Sequence, residues 1–191
     1  PKRFRDLLDF KWRGKLGIED PNIGGGPYTM YVPLLEKGYL DLEFVRRLGS
    51  QDLRIYSSSR DLGRALASGE IHIAASGASR FYSTLVTEGA PVKPLVMEEG
   101  TTLTGNAVAA IKNSPHANAT KLVVDWVMSR SGQDIIARAQ GTPSVRKDVS
   151  DYAPAPLRIT PYKWVISTGE MEAKSAQMQV ERAFPKLWAS R

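Results

Sequence analysis

Short apolar runs alternate with amphipathic stretches along the first hundred residues. The apolar runs at residues 15–18, 53–56, 71–75 and 92–97 predict strands. The stretches between them repeat apolar residues at helical spacing and predict helices. Glycine, serine or proline marks most of their ends, as is usual at helix boundaries. Strands alternating with helices at this pitch predict an α/β protein with right-handed crossovers and a largely parallel sheet.

The first predicted helix follows three glycines and begins at Pro27, a position where the missing N–H of proline is not needed. Pro33 lies inside its apolar stripe and is expected to kink or shorten it. Two further helices are predicted, at residues 41–48 before Gly49 and at residues 60–67 before Gly69. A fourth carries Phe81 and Tyr82 and ends at Gly89.

Beyond residue 100 the pattern becomes more helical. Residues 101–111 end in NAVAAI, which is typical of a strand buried on both faces. Asn118 is the predicted cap of a helix with an apolar face through Val127. Ser131 and Asp134 predict a capping box for a helix through Ala139. Proline-rich residues 141–163 predict an irregular connector, and residues 168–183 a final helix.

Composition narrows the class of protein. The chain has 191 residues, 42% hydrophobic and 24% charged, which is enough for a real core. No apolar stretch reaches the roughly 18 residues of a membrane span. The absence of cysteine excludes disulfides and thiol chemistry. The chain begins at Pro1 without an initiator Met or an apolar leader, so we expect it to be processed or part of a longer protein.

The net charge of +6 favours anionic partners. Lys and Arg are nevertheless scattered, and the nearest approach to a cluster is Lys2, Arg3 and Arg5. Nucleic-acid surfaces usually carry a basic stripe interleaved with aromatic residues. A nucleic-acid partner is therefore not predicted.

Three predicted strands lead into helices through small residues, at positions 24–26, 57–59 and 77–79. Parallel strands bring such junctions to one rim, where ligands bind in open α/β sheets. Exposed N–H groups and the positive end of the helix dipole favour anions there. The alternative is that these residues are ordinary helix caps. Tyr82 either points at the same rim or belongs to the core.

Enzyme signatures are weak. His72 alternates with isoleucines in a predicted strand, and His116 lies in a loop before a helix. The adjacent pairs Glu19-Asp20 and Glu98-Glu99 would point to opposite faces of a strand, which makes each a poor acid–base pair. No metalloprotease, serine-hydrolase or phosphate-loop motif is present. We therefore predict that the protein is not an enzyme.

Several segments, in order, resemble bacterial extracellular solute-binding proteins of ABC transporters. The resemblance is strongest to the ferric-iron-binding branch of the type II periplasmic binding proteins. It rests on DLLDFKWRGK (6–15), EDP (19–21), ALASGE (65–70), EGAPV (88–92), residues 107–112, the helix pair at 118–133 and GTPSVR (141–146).

This resemblance implies a two-lobe protein of which the chain holds the later part. Residues 1–96 would form most of the second lobe, and residues 97–145 a returning segment of the first. Residues 146–191 would form a helical tail on the second lobe. The missing N-terminal lobe is then an expected partner, together with a membrane permease.

In iron-binding relatives, as the resemblance implies, the glycine loop holds an anion and two adjacent tyrosines bind Fe³⁺. Here the tyrosine pair reads Phe81-Tyr82, so one phenol is lost, and Arg80 adds positive charge. We expect an organic or phosphate-bearing anionic solute, with ferric iron as the alternative, and no cofactor. The predicted ligand-binding residues are Gly24, Gly25, Gly26, Tyr28, Ser58, Ser59, Ser79, Arg80 and Tyr82, with Tyr82 also the candidate metal ligand.

The predicted function is the periplasmic or extracellular solute-binding component of an ABC importer. The alternative is the effector-sensing domain of a transcription regulator with the same fold. An upstream helix-turn-helix would favour the regulator, and a signal peptide or lipoprotein box the importer.

Overall fold

The computed structural model of the chain describes residues 1–21, 25–77, 79–103, 105–155, 158 and 163–166; the side chains of Ser79 and Trp164 are outside that description. Within these residues the helices are α1 (Gly26–Glu36), α2 (Leu42–Gly49), α3 (Ser59–Ala67), α4 (Ser79–Thr87), α5 (Ala117–Met128) and α6 (Arg130–Gln140). The strands are β1 (Leu16–Glu19), β2 (Arg54–Tyr56), β3 (Ile73–Ala74), β4 (Thr101–Thr102) and β5 (Trp164–Val165). Two short 3-10 helices, Phe4–Leu8 and Phe10–Trp12, precede β1.

The main sheet confirms the predicted parallel topology. Its order is β2-β1-β3, and both pairings are parallel, with Glu19 opposite Tyr56 and Gly17 opposite Ala74. All four residues of the central strand β1 are buried, as expected of a strand covered on both faces. Helices α1 and α2 connect β1 to β2, which lies on one side of it. Helix α3 then connects β2 to β3, which lies on the other side of β1, so the central strand is the first in the chain.

The core lies under α1 and α2. The rings of Phe4, Tyr31 and Phe44 form a chain of contacts, with centroid distances of 6.4 Å and 6.2 Å. Leu16 and Ile18 of β1 complete this cluster. Pro33 does not end α1, which continues to Glu36 with Pro33 in its interior.

Caps define the starts of the next two helices. The Asp41 side chain accepts a hydrogen bond from the Phe44 N–H at 2.7 Å, which begins α2. The Ser58 side chain accepts one from the Asp61 N–H at 3.2 Å, which begins α3. The predicted ends at Gly49 and before Gly69 are confirmed.

Two strand predictions are wrong. Residues 92–97 form no strand, and neither do residues 105–111, which are exposed throughout. Each run finds no neighbouring strand among the described residues, and an apolar run without a partner strand cannot form a ladder. Among the described residues of 101–111, only Thr101–Thr102 is a strand, and it pairs in parallel with Trp164–Val165.

The two caps predicted for α5 and α6 are also wrong. Helix α5 starts at Ala117, so Asn118 lies inside its first turn, and His116 precedes it without a side-chain cap. Helix α6 is capped by Ser129, which is extended and accepts a hydrogen bond from the Gly132 N–H at 3.1 Å. Ser131 is already helical and cannot act as the cap. Gly141 ends α6 in the left-handed conformation.

The described part of the connector, residues 141–155, carries no α-helix or strand, as predicted. The final helix predicted at residues 168–183 lies outside the described residues. Among those that are described, no helix has the length and apolarity needed to cross a membrane.

Candidate ligand-binding site

The carboxyl ends of β1, β2 and β3 open onto one rim of the sheet. Because the three strands are parallel, the starts of α1, α3 and α4, which follow them, come together there. This is the edge at which open α/β sheets bind ligands. The predicted convergence of the three junctions is therefore present in the fold.

Glu19, the last residue of β1, lies at the centre of this rim and is only 6% exposed. Its Oε1 accepts a hydrogen bond from the Ser59 hydroxyl at the start of α3. Its backbone N–H donates to the Ser76 hydroxyl, after β3, at 3.0 Å. Its Oε2 is buried without a hydrogen-bond partner among the described residues. Glu19 thus contacts the start of α3 through its carboxylate and the segment after β3 through its backbone N–H.

Two glycines make room for side chains of this rim. A Cβ on Gly26 would overlap the Glu19 Oε2 and come within 3.5 Å of the Gly77 backbone nitrogen. Gly77 has a φ of +129°, a backbone conformation that L residues with a side chain rarely adopt, and a Cβ there would overlap the Tyr82 hydroxyl. The bare backbone thus leaves room for the Glu19 carboxylate at Gly26 and for the Tyr82 ring at Gly77.

Tyr82 lies on the α4 side of the same cluster. Its hydroxyl donates a hydrogen bond to the Ser76 carbonyl at 2.7 Å. Burial, and after it the negative charge of Glu19, raises the pKa of the Tyr82 phenol. The phenol therefore keeps its proton at neutral pH, and that proton is committed to a backbone carbonyl.

The serines after β2 have different roles. The Ser58 hydroxyl donates to the Asp61 carboxylate at 2.7 Å and also caps α3, and Ser57 donates to the same carboxylate at 3.2 Å. These hydrogen bonds lower the pKa of Asp61. The start of α3 is therefore a capped helix end with its own negative charge, in line with the cap alternative at this junction.

Arginines border the rim at the starts of α3 and α4. The guanidinium of Arg80 lies 4.8 Å from the centroid of the Phe81 ring, and that of Arg60 lies 5.8 Å from the same centroid. Both arginines are exposed, and each is the second residue of its helix. The shared ring holds two cationic groups beside the rim, each at the positive end of a helix dipole.

The structure brings only some of the predicted site residues to Glu19. Gly26, Ser59 and Tyr82 surround Glu19, Arg80 borders the rim, and Ser58 serves as a cap. Gly25 immediately precedes α1, Ser79 begins α4, and Tyr28 is half-buried against the core. Gly24 lies outside the described residues.

Sequence reasoning missed Glu19 and Arg60. From sequence, Glu19 figures only as half of the poor acid–base pair Glu19-Asp20, whereas in the fold Glu19 is buried, as is Asp20. Its position at the end of an apolar strand, just before the glycines, was the available signal. Arg60 follows the serine cluster directly, and only its packing on Phe81 distinguishes it from other surface arginines.

A cavity of about 400 Å³ lies away from the rim, and none of the rim residues lines it. Its walls come from Pro1, Arg5, Asp6, Leu8, Asp9, Lys11 and Arg47. Among the described residues there is no group of three or more His, Cys, Asp or Glu side chains placed to hold a metal ion.

The sequence model of one protein family, described as bacterial extracellular solute-binding protein, matches residues 1–167. The chain belongs to this family, as the resemblance predicted. An uncharacterized protein of Haemophilus influenzae (strain ATCC 51907 / DSM 11121 / KW20 / Rd) is 30% identical over 139 residues, which cover 71% of this chain and 39% of that protein.

Solved structures show the same fold. The substrate-binding protein of an ABC transporter from Agrobacterium tumefaciens has a TM-score of 0.72 at 14% identity, over 96% of this chain and 60% of that one. An ABC transporter protein from Clostridium perfringens ATCC 13124 has a TM-score of 0.69 at 20% identity, over 98% of this chain and 62% of that one. The chain therefore spans about 60% of the length of these structures and 39% of the Haemophilus relative.

Proposed function

We propose that the chain is part of the solute-binding component of an ABC importer, and that the rim around Glu19 is its half of the ligand site. The observation that carries the proposal is the convergence of three parallel strand ends on one rim bordered by Arg60 and Arg80. Membership of the solute-binding family supports the same proposal. Such a protein captures its solute without chemistry and releases it to a permease.

The solute we propose is a small organic or phosphate-bearing anion. Two exposed guanidinium groups on one aromatic ring suit the oxygens of a phosphate or carboxylate. Gly25 is exposed just before α1 and leaves the backbone there open to a ligand, because it carries no side chain, whereas Gly26 faces the Glu19 carboxylate.

Ferric iron, the alternative, has less support. Fe³⁺ prefers ionised oxygen ligands such as phenolate, and the Tyr82 phenol is held in its protonated form by burial and by Glu19. Its hydroxyl already donates to the Ser76 carbonyl. Phe81, at the position of the second tyrosine, has no ligand atom.

The remainder of the cleft would come from another lobe of the same protein. Leu122 and Trp126 on α5 are 71% and 46% exposed. Residues 105–111 carry mostly apolar side chains, are exposed, and pair with no strand among the described residues. Large apolar surfaces of this kind usually contact another protein surface. We propose that residues 97–145 pack against the N-terminal lobe and that residues 1–96 form the facing lobe. The periplasmic or extracellular location and the permease partner follow from the same proposal.

Calorimetric titration of the full-length protein with phosphate esters, carboxylates and Fe³⁺-citrate tests the proposed solute class. We expect a phosphate ester or carboxylate to bind with a Kd of about 1 μM or below, corresponding to roughly −8 kcal/mol. Arg80→Gln or Arg60→Gln should weaken that binding about tenfold, because a charge-assisted hydrogen bond is lost.

Arg64→Gln is the matched control, because Arg64 lies on the same helix as Arg60 but pairs with Asp61 at 3.9 Å. It should leave the Kd unchanged. Tight Fe³⁺ binding with a visible tyrosinate charge-transfer band, lost in Tyr82→Phe, would instead establish the iron alternative.

A further inference from the structure

The Glu19 side chain has one oxygen that the described residues leave unpaired. The residue is 6% exposed, Oε1 is hydrogen-bonded to Ser59, and Oε2 is buried without a partner among the described residues. Leaving a buried carboxylate oxygen without a donor costs free energy, so such an oxygen usually marks a place where something else donates.

Two hydroxyl groups near Glu19 already donate to acceptors other than Oε2. Ser59 gives its single hydroxyl proton to Oε1. Tyr82 gives its only proton to the Ser76 carbonyl at 2.7 Å. The Ser76 hydroxyl oxygen in turn accepts a hydrogen bond from the Glu19 backbone N–H at 3.0 Å.

The position of Oε2 relates it to the proposed ligand site. It lies against Gly26 at the start of α1, and the Gly77 backbone nitrogen borders the same glycine. A solute held at this rim by backbone N–H groups and by Arg60 and Arg80 would have Glu19 beneath it. A second anionic group at that point would be repelled by the carboxylate.

We propose that Glu19 determines specificity by accepting a hydrogen bond through Oε2 from a hydroxyl or ammonium group of the solute. This inference rests on the proposed function. It narrows the solute to a small phosphate-bearing molecule that carries a hydrogen-bond donor a few bonds from its phosphate. The arginines bind the phosphate, and Glu19 selects for the donor.

Three phosphate esters of nearly equal size test this proposal in the full-length protein. They are ethyl phosphate, which lacks a donor, 2-hydroxyethyl phosphate and 2-aminoethyl phosphate. Calorimetric titration should show that at least one of the two donor-bearing esters binds about tenfold or more tightly than ethyl phosphate, since hydrogen bonds to a charged group are strong. Which of the two binds better distinguishes a hydroxyl from an ammonium ligand.

The Glu19→Gln variant should reduce this preference. An amide N–H₂ in place of Oε2 cannot accept a hydrogen bond, so the 2-aminoethyl ester should lose the most affinity. A hydroxyl group can also accept, so the 2-hydroxyethyl ester should lose less, and ethyl phosphate should change little. Glu88→Gln is the matched control, because it removes the same charge from an exposed position just after α4.

The outcomes separate this inference from the proposed function. Binding of all three esters with equal affinity to the unaltered protein would overturn the role of Glu19 and leave the anion-binding function standing; this result needs no variant to fold. An unchanged preference in a folded Glu19→Gln protein would overturn it as well. Absence of binding by all three esters would overturn the phosphate class and this inference together.

Discussion

Helices α2 and α5 differ sharply in what covers their apolar faces. Helix α2 buries Phe44, Val45 and Leu48 completely against the core. Helix α5 has no buried residue, although its sequence repeats apolar side chains at the same helical spacing. Leu122 is 71% exposed and Trp126 is 46% exposed. An amphipathic pattern thus indicates that one face of a helix needs a packing partner, but it does not show that this chain supplies that partner.

Of the segments on either side of α5, α6 is attached to the rest of the fold and residues 105–111 are not covered. Helix α6 is joined to α4 by the Ser83 hydroxyl, which donates to the Gly141 carbonyl at 2.7 Å. The run at residues 105–111, before α5, is exposed like α5 itself. The contrast between the covered and uncovered regions can be tested by substitution in each.

The largest effect is expected from removing a core side chain. Phe44→Ala should lower the free energy of unfolding by about 3–5 kcal/mol, because a fully buried ring leaves a cavity. Leu122→Ala in the same 191-residue chain should change it by no more than about 0.5 kcal/mol. Urea unfolding followed by circular dichroism measures both.

The same Leu122→Ala substitution in the full-length protein would then locate the cover of α5. If the N-terminal lobe packs on this face, the loss should rise to about 2 kcal/mol or more. A loss that stays near zero in the full-length protein would contradict the proposed packing of residues 97–145 on that lobe.

An intermediate effect is expected at the rim, where Gly26 lies directly against Glu19. Gly26→Ala should destabilise the protein by about 1–3 kcal/mol and abolish solute binding, because the new Cβ would overlap the Glu19 carboxylate. Gly25→Ala is the matched control for stability, because among the described residues a Cβ there would meet only Thr29 Cγ2, at 4.0 Å, and the free energy of unfolding should change little. Equal effects of the two substitutions on thermal stability would show that the rim is not closely packed.

The smallest effect is expected from Tyr82→Phe, which removes one hydrogen bond to the Ser76 carbonyl and should cost about 1 kcal/mol at pH 7. The raised pKa of Tyr82 gives this cost a pH dependence. The folded state holds the phenol proton more tightly than the unfolded state, whose phenol pKa is about 10. The contribution is therefore complete below pH 10 and declines as the pH rises above it.

Chemical denaturation between pH 7 and pH 11 would measure this difference. Above pH 10 the stability of the unaltered protein should approach that of Tyr82→Phe. Tyr31→Phe offers a matched comparison, since Tyr31 donates to the Ala75 carbonyl at 2.8 Å and burial alone raises its pKa. A gap between Tyr82→Phe and the unaltered protein that stays constant up to pH 11 would contradict the assigned environment of Tyr82.

Much of the sheet and its helices could be predicted from local signals. The apolar run at β1, Pro27 near the start of α1 and the serines before α3 each correspond to an observed element. These signals are local, because turn residues, caps and hydrophobic spacing act over a few residues. The caps of α5 and α6 were harder, since Ser129 and Ser131 are both suitable residues and only the backbone conformation separates them.

The candidate site was predictable in its location and not in its chemistry. Small residues after three strands indicated the rim, because parallel strands end at the same edge. Glu19, at the end of β1, is hydrogen-bonded to Ser59 and Ser76, which lie 40 and 57 positions further along the chain. No local pattern encodes these contacts. The packing of Arg60 on Phe81 is non-local in the same way.

The sequence by itself determined the parallel α/β unit, the family and the edge of the sheet where a ligand would bind. Those properties follow from hydrophobic periodicity and from short ordered motifs, both of which are written in neighbouring residues. Only the tertiary structure decided which apolar faces are covered, and which serine caps a helix and which contacts a carboxylate. It also decided that Glu19 is buried with one oxygen that the described residues leave unpaired. Burial and hydrogen-bond satisfaction depend on groups distant in the chain, so they are decided when the elements pack.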